Sequence, residues 1–195
     1  MWHMRLATVF LAAILIAASP AGAQVAGGFG NAPAGTPSEQ IDYWFARLAE
    51  TTDMAEGVAI GDRIQALWLA SGGPTAALLM RRAASAAEAG EVNAALDVLD
   101  GLIALQPTLP EVWHQRAIVN FQIGDLEAVV ADVRKALEYE PRHFVALSGL
   151  AQTFYRAGDT VRALAAARAS LAINPYQPGT NDLVDQLEAA LNRTI

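Results

Sequence analysis

Cysteine is absent from all 195 residues. Its absence excludes disulfides, a thiol nucleophile, thiolate metal sites and a lipid-bearing cysteine behind a leader, so stability has to come from burial. Lysine is almost absent as well. Lys135 stands alone, and 13 basic residues face 20 acidic ones for a net charge of −7. Such a surface repels phosphate backbones and anionic lipid heads, so nucleic acid and membrane surfaces are not expected partners. Histidine is scarce too: His3, His114 and His143 carry no H-E-x-x-H or equivalent metal spacing, and neither a metal nor a cofactor is expected.

The start of the chain lacks charge. In MWHMRLATVFLAAILIAASPAGAQ, Arg5 is the one formal charge before an apolar run from Leu6 to Ala18, a helix-breaking Pro20 and the small triplet Ala21-Gly22-Ala23. This reads as a secretory signal peptide over residues 1–23, cleaved after Ala23, with a periplasmic or secreted product. The apolar run is shorter than the ~20 residues a membrane-crossing helix needs, so no stable membrane insertion is expected. Residues 24–35, QVAGGFGNAPAG, have no apolar periodicity and read as a flexible leader.

Helical patterning follows. Thr36-Pro37-Ser38-Glu39 has a cap, a proline at the first helical position and a glutamate reaching back, and Ile41, Trp44, Phe45 and Leu48 then recur at helical spacing. A second helix is expected from Asp53 to Leu69, with Ile60, Ile64, Leu67 and Trp68 on one face and Ser71-Gly72-Gly73-Pro74 as its stop. Beyond it the chain becomes periodic. Pro107, Pro141 and Pro175 are spaced by 34 residues, and Gly90-Glu91, Gly124-Asp125 and Gly158-Asp159 keep the same interval.

A period of 34 marks stacked helix-turn-helix units. The unit from Phe144 places Leu147, Leu150, Ala151, Phe154, Ala163, Ala167 and Pro175 at the signature positions; the one from Pro110 places Trp113, Arg116, Ala117, Asn120, Val129, Val133 and Pro141; the one from Ala76 places Leu79, Arg82, Ala83, Ala86, Ala95, Leu99 and Pro107. On these residues the chain resembles the tetratricopeptide-repeat superfamily. The resemblance implies an all-α solenoid: three repeats over residues 76–177, a degenerate N-terminal helical pair over 36–73, and a capping helix over 178–195. In that cap Leu183, Leu187 and Leu191 form one stripe.

Catalytic readings find little support. Ser148 lies mid-helix without the preceding glycine of a nucleophile elbow, and Asp97, Asp100, Glu127, Asp132 and Glu138 fall at spacings that suit the solvent face of second helices. His114 and His143 are expected on the surface or in the groove. The resemblance implies instead that the first helix of each unit lines a concave groove that takes a peptide. Carried onto this register, the groove residues are Arg81 and Glu88; Glu111, His114, Gln115, Ile118, Phe121 and Gln122; then Gln152, Tyr155 and Arg156. Phe121 and Tyr155 are expected one above the other, as ligand contacts or as packing between repeats. The family's clamp of lysines and asparagines for a terminal carboxylate is missing. The expected function is non-catalytic binding of another protein or peptide in the cell envelope; the alternative is a self-associating scaffold, a homo-oligomer.

Overall fold

A computed structural model of the protein describes residues 34–193. The expected signal peptide and residues 24–33 of the leader lie outside the described residues. Within them every regular element is a helix: α1 Pro37–Glu50, α2 Met54–Ser71, α3 Gly73–Glu88, α4 Val92–Leu105, α5 Pro110–Ile123, α6 Leu126–Tyr139, α7 Phe144–Arg156, α8 Thr160–Ile173 and α9 Pro178–Asn192.

Local chemistry sets the ends. Thr36 and Glu39 form a reciprocal capping box on α1, and the Asp53 side chain caps α2. Between the two helices of each repeat the chain must turn within two or three residues. Gly90, Gly124 and Gly158 do this at φ near +80°, which costs a glycine nothing, and Asp125 and Asp159 then cap α6 and α8. Glu91 stands at the corresponding cap of α4 and makes no side-chain cap bond.

The three repeats α3–α4, α5–α6 and α7–α8 stack in order, with α9 laid on the last. Alanines 76, 83 and 95 let the helices of the first repeat approach closely, while Leu99, Leu102, Val112 and Val119 fill the seam to the second. Val133, Ala136 and Ala146 do the same between the second and third, and Leu183 and Leu187 of α9 close the core of the third.

α1 and α2 form and pair with each other, but they do not stack on α3 as one more repeat would. One register position makes this plain. Val112, Ala146 and Thr180 are buried against the preceding unit, whereas Leu78, at the same position of α3, is 58% exposed. Instead, α2 runs across the connections between repeats. Gly57 faces the ring of Tyr176, Gly61 faces Asn174, Trp68 stacks on His143 with ring centroids 4.2 Å apart, and Gly72 abuts Leu109. From Gly61 to Trp68 a helix rises about 10 Å. That matches the 8–10 Å between neighbouring packed helices, so α2 passes from the connection at Asn174 to the one at His143 in seven residues. Phe45 of α1 packs edge-on against Phe144, and Arg142 lies 4.4 Å over Phe45 while pairing with Asp42 at 2.8 Å. The α1–α2 pair is a strap over one rim of the solenoid, with Trp44, Ile64, Trp68 and Phe144 in its core.

Candidate functional site

The eleven expected groove residues lie on the first helices α3, α5 and α7, but not in one environment. Arg81 and Glu88 on α3 are exposed, as are Tyr155 and Arg156 on α7; Phe121, Gln122 and Gln152 are half-buried. Arg156 lies 4.8 Å over the ring of Phe121 and donates to the Phe121 carbonyl at 2.8 Å, so the aromatic row expected from the register carries a guanidinium on Phe121. Phe121, Gln122, Gln152, Tyr155 and Arg156 lie on the C-terminal halves of α5 and α7.

The N-terminal half of the face is different, and here three expectations need correction. Glu111, His114 and Ile118 are not solvated groove positions; all three are buried, the first two where α2 of the strap crosses. His143, expected on the surface or in the groove, is fully buried between Trp68 on one side and His114, whose ring centroid is 4.8 Å away, on the other. Asp132, expected to face solvent, is buried because Arg116 and Asn120 of α5 reach it, with Arg116 Nη2 at 2.6 Å and Asn120 Nδ2 at 2.9 Å.

Glu111, His114 and His143 form a compact polar cluster whose nitrogen and carboxylate ligand atoms lie within 4.8 Å of one another. Its hydrogen bonds fix the protons. The Ala146 amide donates to His143 Nδ1 at 3.2 Å, the cap of α7, so Nδ1 keeps its lone pair and the ring proton of the neutral imidazole sits on Nε2. That proton points at Glu111 Oε2, 3.1 Å away, while Oε1 accepts from Gln115 Nε2 at 2.7 Å and lies 3.4 Å from His114 Nδ1. Burial by itself would raise the Glu111 carboxyl; the attraction of His114 and the hydrogen bonds of both histidines outweigh it and hold the group well below the usual carboxylate range. Burial pushes the His143 imidazole down. A divalent ion at His143 Nε2 would have to displace the proton directed at Glu111 and turn Nδ1 into a donor facing another donor.

The register did not mark His143 because the equivalent position one repeat earlier is Leu109, a packing residue. That substitution of an imidazole for a buried leucine was the available signal. Ser148 Oγ is spent on Thr180 Oγ1 at 2.9 Å.

No protein-family profile matches the chain. A curated TPR repeat-containing protein of Rhizobium etli is 36% identical over 161 residues, 82% of this chain and 79% of that one. The chain belongs to the tetratricopeptide-repeat family. Two solved structures share the fold of this tetratricopeptide-repeat protein. The first TPR of Spaghetti (RPAP3), bound to the HSP90 peptide SRMEEVD, matches with a TM-score of 0.56 at 16% identity, over 59% of this chain and 91% of that one. A MamA mutant matches with a TM-score of 0.50 at 13% identity, over 80% and 90% of the two chains. No described helix is long and apolar enough to cross a membrane.

Proposed function

We propose that this tetratricopeptide-repeat protein is a non-catalytic binding module of the cell envelope that takes another protein or a peptide along its first-helix face. One observation carries the reading. The C-terminal halves of α5 and α7 leave Tyr155 40% exposed beside Arg156, with Phe121, Gln122 and Gln152 around them. An aromatic anchor ringed by hydrogen-bonding side chains is what peptide hot spots use. The related fold that holds a peptide, the first TPR of Spaghetti (RPAP3), supports the class of ligand and not its identity. Export rests on the expected signal peptide.

The test is capture. Crosslinking in the native envelope, with a photoreactive residue in place of Gln152, should trap one partner reproducibly. Changing Phe121 and Tyr155 together to alanine should weaken that partner a hundredfold or more, since each truncation at a hot spot costs about 1 to 4 kcal/mol. Circular dichroism controls for the packing role of the rings. A double variant that folds normally and binds as tightly as wild type would sink this reading. A trapped partner that is a second copy of the chain, with mass by light scattering rising with concentration, would favour the scaffold instead.

A further inference from the structure

We propose that the α1–α2 pair is a proton-released strap, closed while His143 is neutral and opened when its Nδ1 takes up a proton. The geometry beneath Trp68 argues for it. In the closed form each His143 nitrogen is committed: Nδ1 accepts from the Ala146 amide and Nε2–H donates to Glu111. A second ring proton places N–H against N–H at the start of α7 and removes the cap of that helix. The ring cannot turn to find an acceptor, because it is wholly buried and pinned beneath Trp68, whose plane is within 11° of its own. Relief comes when Trp68 lifts, and with it α2.

Burial, more than the charges around the ring, leaves that proton unwelcome. From α5 it faces Glu111 and His114; from its own connection, Glu140 and Arg142; from α2 the uncharged Trp68. Arg142 is occupied by Glu140 and Asp42. Burial and the neighbouring His114 act against protonation, and Glu111 and Glu140 act for it. Since the closed-state imidazole is depressed below its ordinary value of 6.5, closure is favoured above that pH and weakens as the pH falls below it.

Closure is also imperfectly satisfied. The indole N–H groups of Trp44 and Trp68 are buried with no hydrogen-bond partner, and both regain water when the strap lifts. The hinge is at hand in Gly72-Gly73, where Gly73 has φ +82°. Opening uncovers Glu111 and His114 on the first-helix face. That consequence for a ligand rests on the binding reading above; the opening itself does not.

The full chain, free of native cysteine, allows a direct test. Ala59→Cys on α2 and Ala169→Cys on α8, both exposed, carry nitroxide labels whose separation is read by pulsed electron resonance. A single narrow distance is expected at about pH 7.5 and a second, longer population at about pH 5, the range a histidine spans. His143→Gln keeps a donor for Glu111 and cannot take the proton, so it should stay closed at both values. An unchanged wild-type distance in acid, or equal acid opening in His143→Gln, overturns the proposal. Where that variant does not fold, the wild-type ring-nitrogen shifts of His143 decide: they must titrate at the midpoint of the distance change, and a ring neutral throughout the opening overturns it. Stoichiometric zinc uptake at neutral pH that His143→Gln abolishes overturns the proton assignment. No partner is present in these measurements, so their failure is separate from failure of the binding reading.

Discussion

Gly57 and Gly101 both sit inside helices, and replacing each by alanine should move stability in opposite directions. At Gly101 a methyl group meets nothing within 4 Å, so the variant gains what alanine contributes over glycine in a helix, about 0.5 to 1 kcal/mol. At Gly57 the methyl would fall inside the ring of Tyr176, whose hydroxyl donates to the Thr51 carbonyl. Displacing that ring overpacks the strap and breaks the bond, a net loss of about 2 kcal/mol. Urea midpoints at unchanged slope measure both. A Gly57→Ala protein as stable as wild type would mean that α2 does not lie on the Tyr176 connection.

Between elements, the contrast of Leu78 with Val112 is the sharper probe. The two residues share a register position, yet Leu78 looks into solvent and Val112 is buried in the first seam. Leu78→Ala should cost under about 0.5 kcal/mol and Val112→Ala about 2 kcal/mol. Equal and large costs would show that α2 does stack on α3. Much of the element level was legible in the chain: the cap at Thr36, a helix from Asp53, and turn glycines at a 34-residue interval at Gly90, Gly124 and Gly158. The docking of α1 and α2 was not. Running the register back one unit assumes nearest-neighbour stacking, but the exposed Thr75 and Ser85 stand where Leu109 and Val119 fill the next seam, so two of the positions that would hold such a stack are polar. The glycines of α2 gain their meaning only from loops far along the chain. The same long-range closure turned Glu111 and His114 from groove residues into buried ones, a change that helix periodicity does not encode.

For the whole molecule, the proposed export makes its own prediction. Protein recovered from its native source should begin at Gln24 and fractionate with the soluble envelope contents; an intact Met1 terminus in a membrane pellet would refute it. The strap has a second consequence, in the order of folding. Repeat arrays ordinarily touch only their neighbours, so they nucleate anywhere and fray from the ends, and their folding is fast for their size. Here Tyr176 bonds Thr51 across 125 residues of sequence, and α2 with its cap Gly72 touches the connections at Leu109, His143 and Tyr176, like a rod lashed along a spring. Such a spring cannot stretch one coil at a time. Pulled or heated, it should yield in a single step, and it should refold only as fast as its two distant ends can find each other.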